Sequence, residues 1–315
     1  MLGAIIIADC IDEAEGTNHS AEPAGQVLWA CVDVLGQSVI ARVADQLRRE
    51  SCDAVFVARP DMRKQHGAND AWNGASAHAA ELKQEGFETV LIVRCGAYAE
   101  VNSAEMLAFH RERGAGLTRS VRSGEPLDWW MIDSSLLLED QPIQAALRGQ
   151  EEASYPASGY VNRMESAYDL RRLVLDSFSS RCGLRPHATE LRPGIWISEG
   201  AHIARSARIV APSFIGRDVL VSDECLITRG SNVEHDCRID FGTAVEDSSI
   251  LPNTYIGIGL DVSHSIVHGS NLLNLRHNVT LQITDPVVMR QHSGRAGDRS
   301  WSDIGRQEFA MSSAE

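Results

Sequence analysis

Basic runs are missing from this chain. Its 29 Lys and Arg are outnumbered by 43 Asp and Glu, for a formal charge of −14. They nowhere gather into the cluster that a phosphate backbone requires, which argues against a nucleic-acid surface. Cys-x-x-Cys pairs are missing as well. The seven cysteines (Cys10, Cys31, Cys52, Cys95, Cys182, Cys225 and Cys237) are scattered and odd in number. That set fits neither a disulfide frame nor a thiolate zinc site; it suits reduced thiols in a cytoplasm, packed as small hydrophobes. No apolar run approaches the roughly 20 residues of a spanning helix, so membrane insertion is not expected. The opening Met1 to Cys10 is apolar, without a basic leader or a cleavage site, and reads as a first strand. What remains is ordinary soluble-protein composition, 43% hydrophobic and 23% charged over 315 residues, enough for two domains.

The strongest positive signal is periodic. Ile197, Ile203, Ile209, Ile215, Val221, Ile227, Val233, Ile239 and Val245 stand six residues apart, without a slip. Two residues before each stand Ile195, Ala201, Ala207, Ser213, Val219, Cys225, Ser231, Cys237 and Thr243, which after the first are small or medium. Six is neither the helical period nor the two-residue alternation of a strand. It fits a three-sided coil with one very short strand per side and a turn at each corner, the aliphatics stacked inside. Nine hexads make three turns, about 14 Å tall at the usual strand spacing. The phase breaks at Asp247-Ser248-Ser249 and resumes at Ile250, Ile256 and Val262. The break reads as a corner insertion, with the coil running on to about Val267.

The N-terminal half alternates. Leu2 to Ala8, Asp53 to Ala58 and Thr89 to Cys95 have strand length and composition. Ser38 to Arg49 carries Val39, Ile40, Val43, Ala44 and Leu47 on one helical face. Ala75 to Gln84 and Ser103 to Arg113 read as helices, the latter with Ser103 as cap and Glu105 in its first turn. Leu117 to Val121 and Leu127 to Ile132 are further strands, with Trp129-Trp130 as core aromatics. This alternation predicts an open, mostly parallel sheet flanked by helices, with ligand chemistry in the loop after Ala8. Residues 1–148 thus form an α/β domain and 149–192 a connector with a helix around Ser166 to Phe178. The coil occupies 193–285, and 286–315 is a polar tail, poorly ordered from Gly294.

Several segments together resemble the sugar-phosphate nucleotidyltransferases (nucleotide-sugar pyrophosphorylases). They are Leu35-Gly36-Gln37-Ser38-Val39-Ile40, Thr89-Val90-Leu91-Ile92-Val93 and Glu105-Met106-Leu107-Ala108-Phe109-His110-Arg111. In the distal half they are Arg192-Pro193-Gly194-Ile195-Trp196-Ile197, Ala211-Pro212-Ser213-Phe214-Ile215-Gly216 and Ile250-Leu251-Pro252-Asn253-Thr254-Tyr255-Ile256-Gly257. The resemblance implies a nucleotidyltransferase-like open αβα sheet domain followed by a left-handed parallel β-helix of hexapeptide repeats. It implies synthesis of a nucleoside-diphosphate sugar from a nucleoside triphosphate and a sugar 1-phosphate, with Mg2+.

The phosphate-handling residues of that family are not matched. Its Gly-Thr-Arg core after the first strand is represented by Gly16-Thr17-Asn18, several residues late and without the arginine. Its Pro-Lys-Pro lysine, seven residues before the glycine matched by Gly36, falls on Trp29, and an indole brings no charge to a phosphate. After Thr89 to Val93 the chain reads Arg94-Cys95-Gly96-Ala97, with no carboxylate before Glu100 to stand for the magnesium-binding aspartate. Such chemistry is largely charge neutralisation and positioning, so losing all three predicts lost catalysis. Gly16 and Thr17 are kept as a remnant nucleotide loop. The acidic loop residues Asp9, Asp12, Glu13 and Glu15 are read as solvated, and no metal site is assigned.

Ser231-Asn232-Val233-Glu234-His235-Asp236-Cys237-Arg238-Ile239 also resembles a segment of hexapeptide-repeat sugar acyltransferases, in which a His-Asp pair deprotonates the acceptor. His235, two residues past the inward Val233, is expected to point away from the core, toward a neighbouring subunit. His264, His268 and His277 show no partner in the sequence. The expected function is therefore a pyrophosphorylase-like, non-catalytic regulatory or scaffolding subunit of nucleotide-sugar or polysaccharide synthesis. The alternatives are an acyltransferase using His235, Asp236 and acyl-coenzyme A, and residual pyrophosphorylase activity. The expected partners are further copies of the chain through the coil and an active nucleotidyltransferase homologue.

Overall fold

A computed structural model describes residues 1–8, 31–50, 52–59, 68–138, 141–148 and 151–292. Two compact units emerge. Of the described residues, 1–8, 31 and 39–165 belong to the first, and 32–38 and 166–292 to the second. The boundary between Glu165 and Ser166 falls inside the stretch 149–192, and a short early segment, 32–38, belongs to the distal unit.

In chain order the elements up to this boundary are β1 (Leu2–Ile7), β2 (Asp33–Val34), β3 (Gln37–Ser38), α1 (Val39–Glu50), β4 (Ala54–Ala58), α2 (Ala68–Gln84), β5 (Thr89–Arg94), β6 (Tyr98–Ala99), α3 (Ser103–Arg113), β7 (Leu117–Arg122), β8 (Glu125–Asp133), α4 (Ile143–Arg148), β9 (Glu152–Pro156) and β10 (Val161–Asn162). The first unit is built on a six-stranded sheet in the order β4-β1-β5-β8-β7-β9. β1 pairs in parallel with β4 and β5, whereas β8 runs antiparallel to both β5 and β7. β7 and β9 pair in parallel, so five of the six strands run one way and β8 alone is reversed in the expected, mostly parallel sheet. The reason for the reversal is local: Ser123 and Gly124, both at positive φ (52° and 85°), close a two-residue hairpin between β7 and β8.

Strand alternation sorts this core. Ile5, Ile7, Val90, Ile92, Trp130 and Ile132 share one buried cluster with Ala71, Ala75, Ala79 and Leu82 of α2. The alternate residues Ile6, Leu91, Val93, Trp129 and Met131 are equally buried, and α1 and α3 pack against the sheet as well. Trp129 and Trp130 are core residues, 2% and 7% exposed. The cap of α3 is Asn102, not Ser103: its side chain accepts from the amides of Ala104 and Glu105, and the helix ends on Gly114 at φ 58°.

The second unit begins with α5 (Ala167–Phe178), capped by Ser166. After it come three sheets of very short strands. Ile195–Ile197, Ser213–Ile215, Ser231–Val233, Ser249–Ile250 and Ser265–His268 pair successively in parallel on one side. His202–Ile203, Leu220–Val221, Arg238–Ile239 and Thr254–Ile256 form the second side. Arg208–Ile209, Leu226–Thr228, Ala244–Glu246 and Asp261–Ser263 form the third. This is a sheet-rich region of many parallel strands, compatible with a β-helix. Ile215, Val221, Ile227, Val233, Ile239 and Val245 form one apolar column, with Ile197, Ile203 and Ile209 half-buried at its first turn.

The interruption at Asp247-Ser248-Ser249 is a shortening, not an insertion. Ile197 pairs with Ile215 and Ile215 with Val233, each 18 positions on, but Val233 pairs with Ile250 and Ile250 with Val267, 17 positions on. Asp247 turns the tightened corner at φ 44°. Asp218, Asp236, Gly242, Asn253 and Gly259 turn other corners at positive φ; these are residue types that tolerate it. The parallel coil ends with Ser265–His268. Asn271–Asn274 and Val279–Gln282 then add as antiparallel strands, and Met289–Gln291 runs antiparallel to Thr254–Ile256, so part of 286–292 is built into a sheet.

Candidate functional site

The polar residues of the distal unit converge where the coil meets the β2–β3 hairpin. Leu35 and Gly36, at φ 56° and 89°, form its two-residue turn. A leucine is costly in that conformation, and two bonds hold it there. The amides of Leu35 and Gly36 donate to Oε1 and Oε2 of Glu234, each at 2.9 Å, while the Leu35 carbonyl accepts from the His187 amide at 2.9 Å. Gly36 sits so close to its surroundings that a Cβ there would lie 3.0 Å from the Phe214 ring and 3.2 Å from the His187 carbonyl oxygen.

On the coil, Asn232 and Glu234 flank the inward Val233 and so face away from the apolar column. Both are fully buried nonetheless, because polar partners cover them. Asn232 donates to Glu234 Oε1 at 2.7 Å and accepts from Ser249 Oγ at 2.6 Å. Next along the chain, His235 is also buried, at 7% exposure. Its Nδ1 lies 2.8 Å from Asp236 Oδ2, and its Nε2 lies 3.4 Å from Oδ2 of Asp33 at the start of the hairpin. The expected His235–Asp236 pair is therefore formed, but His235 faces β2 of its own chain and not open space. The hairpin brings a second carboxylate to the ring.

Burial and the neighbouring charge of Asp33 push Glu234 up to about 7, against the opposing bonds from Asn232, Gly36 and Leu35. For His235, burial disfavours the charged ring. The hydrogen bond to Asp236 and the charges of Asp33, Asp236 and Glu234 outweigh it, so its pKa is raised. The two carboxylates thus favour the imidazolium, a form with no lone pair to take a proton.

A second cluster lies on α5 and the shortened corner. Arg171, almost fully buried, donates to the Gly230 carbonyl and to Asp247 Oδ1, both at 2.8 Å. The other Asp247 oxygen lies 2.6 Å from Nδ1 of His264. His264, expected to have no partner, has one; the residues are 17 positions apart and meet because one coil stacks on the next. Asp33, Glu234, Arg171 and Asp247 were missed in the sequence, where none sits in a recognisable spacing. The available clues were only the acidic neighbours of His235 and the Leu-Gly turn.

In the first unit, the chain visits β1, β4 and β5 in turn while β1 lies between the other two, so the connection switches sides at β1 and β5. Ligands in open sheets sit outside the strand ends at such a point. There the end of β5 carries Arg94, which pairs with Asp128 at 3.8 Å, and the buried Cys95. Burial pushes the Cys95 thiol up to about 12, so it carries no thiolate nucleophile at neutral pH. The carboxylate that the family resemblance requires at this position is absent, and these residues do not fit a magnesium ion. Gly16, Thr17, Asn18, Trp29 and the acidic Asp9, Asp12, Glu13 and Glu15 lie outside the described residues. No helix among the described residues is long and apolar enough to cross a membrane. No protein-family model matches this chain, and no curated protein does.

Proposed function

We propose that this chain is a nucleotide-sugar pyrophosphorylase-like protein that acts without catalysis, as a cytoplasmic regulatory or scaffolding subunit in nucleotide-sugar or polysaccharide synthesis. In this reading the first unit is a degenerate nucleotidyltransferase-like domain and the parallel coil is a left-handed β-helix through which copies associate. The observation that carries it is the end of β5, where Arg94-Cys95-Gly96 stands in place of a metal-binding carboxylate and Cys95 is a buried, protonated thiol. The sequence at Asn18 and Trp29 supports the same reading, since neither brings a cation to a triphosphate. The Leu35-Gly36 segment, one carrier of the family resemblance, has its turn amides committed to Glu234.

The test is pyrophosphate release by the purified chain with magnesium and a panel of nucleoside triphosphates and sugar 1-phosphates. No release above the protein-free blank is expected, and release for any pair overturns the reading. A thermal-shift screen with the same nucleotides separates an emptied site from one that still binds.

The 2.8 Å His235–Asp236 contact favours a second reading, acyl transfer from acyl-coenzyme A with His235 as base. It requires Asp33 to leave the ring first. If His235→Ala leaves a measurable acetyl-transfer activity unchanged, this second reading is dead.

A further inference from the structure

On the second side of the coil, the inward Ile203, Val221 and Ile239 alternate with outward side chains that stand in two rows. His202, Leu220 and Arg238 are register partners and make one row; Ala204, Ser222 and Asp240, which follow the inward residues, make the other. Paired strands lie about 4.8 Å apart, so the backbones of His202 and Arg238 are about 10 Å from each other, with Leu220 between them. The first row is tall, whereas the second is short where it passes Ala204 and Ser222. This step leaves an open cavity of about 400 Å³, lined by His202, Ala204, Leu220, Ser222 and Arg238 among others. Its size is that of a small-molecule site.

The two ends of the cavity are polar and its middle is apolar. Leu220 offers the apolar surface, at 43% exposure. His202 is exposed, and its ring has no hydrogen bond or ion pair among the described residues. Arg238, also exposed, spends one N–H on Asp240 Oδ2 at 3.3 Å. Asp240 does not depend on that contact. Its Oδ1 accepts from Ser222 Oγ at 3.2 Å and from the Phe241 amide at 2.9 Å, and its Oδ2 from the Tyr255 hydroxyl at 3.0 Å. Tyr255, next in the row after Arg238, backs that guanidinium at 5.9 Å from its ring centroid and carries Arg290 at 3.7 Å. Arg290 makes no ion pair among the described residues. Two guanidiniums therefore stand against the one carboxylate that bonds to this row, an excess of one positive charge.

We propose that this cavity binds a small organic monocarboxylate. The carboxylate pairs with the N–H groups of Arg238 that Asp240 leaves unused, the apolar body lies on Leu220 over the hollow at Ala204 and Ser222, and a polar far end meets His202. A planar carboxylate matches the guanidinium fork. Its single charge equals the excess on this row, which the dianion of a phosphate monoester would overshoot. The body adds affinity in proportion to the Leu220 surface that it covers.

Leucine-methyl NMR on the full chain tests this, with hexanoate titrated to about 10 mM, a range that reads millimolar affinity. A saturable shift of the Leu220 methyl signals is expected. Acetate has the charge without the body and 1-hexanol the body without the charge, so each should give less than about half of that shift at equal concentration. No shift at Leu220 with hexanoate, or an equal one with acetate or 1-hexanol, overturns the site. Arg238→Gln is expected to weaken hexanoate at least about fivefold by removing the ionic partner. Ala204→Met fills the hollow without altering a charge and should weaken hexanoate as well. Wild-type affinity in either variant overturns the proposed pose. A monoalkyl phosphate that binds more tightly than hexanoate overturns the carboxylate assignment.

Discussion

The guanidinium of Arg171 meets the carboxylate of Asp247 at 2.8 Å, joining α5 to a coil corner 76 positions later in the chain. Arg171 is 5% exposed in its side chain and Asp247 33%, so one partner is buried and the other half-buried. A pair of this kind adds little over an apolar replacement of both members, but breaking it strands a charge.

Arg171→Met is accordingly expected to destabilise the chain by about 3 kcal/mol, measured by denaturant unfolding. Arg171→Lys should recover only part of this, because an ammonium cannot hold the Gly230 carbonyl and Asp247 in one fork. A loss under about 1 kcal/mol for the methionine variant would show that the pair does not anchor α5.

Acid should remove the same contribution. Burial tends to raise the pKa of Asp247, but the bond and charge of Arg171, with His264, outweigh this and leave it lowered. A carboxyl with a depressed folded pKa stabilises above its unfolded range and loses that contribution as pH falls below about 4. The Arg171→Met variant should therefore lose less stability than wild type between pH 5 and pH 3. Parallel acid limbs for the two proteins would refute the assignment.

Inside the coil, Ile239 is fully buried while Ile203 is half-buried. Ile239→Ala is expected to cost about 2–5 kcal/mol, with Ile203→Ala nearer the lower end or below. The ranking is read from urea midpoints at equal slope; a reversed order would contradict the apolar column described above.

At the hairpin, Gly36→Ala combines a left-handed φ of 89° with a Cβ 3.0 Å from Phe214. A loss of at least about 1 kcal/mol is expected, together with faster exchange over 33–38. Wild-type stability in this variant would mean that the turn is not seated against Phe214.

Thiol chemistry gives an independent check on both units. Burial pushes Cys52 and Cys95 up to about 12, and pushes Cys237 up as well. At pH 8 a thiol with pKa near 12 is about one part in ten thousand thiolate, so these three should resist alkylation until the chain unfolds. Peptide mapping after a brief iodoacetamide pulse reads this out directly. Rapid native labelling of Cys95 would mean that the end of β5 is open.

The distal architecture was legible before any coordinates. A six-residue recurrence of Ile and Val is a local property, and inward positions that repeat at a fixed interval can be buried only by stacking one turn on the next. Helix and strand segments of the first unit were legible for the same reason, since amphipathic periods are written in neighbouring residues. Some details within that frame were not. One missing residue at Asp247 looks like an extra one when only the phase slip is seen, and the hairpin at Ser123-Gly124 reversed a single strand, β8, in an otherwise parallel sheet.

The polar site needed the fold. Leu35 and Glu234 bond across 199 positions, and Asp33 reaches His235 over a similar span. A backbone amide has no sequence signature, and a carboxylate reads alike whether solvated or sealed under a hairpin. Residue types at short range were enough to indicate a stacked coil, an alternating α/β unit and a strand end without a metal-binding carboxylate. Folding at long range placed residues 32–38 with the distal unit, brought Arg171 and His264 to Asp247, and set His235 between two carboxylates. Burial and distance, not residue identity, set the charge state of such groups.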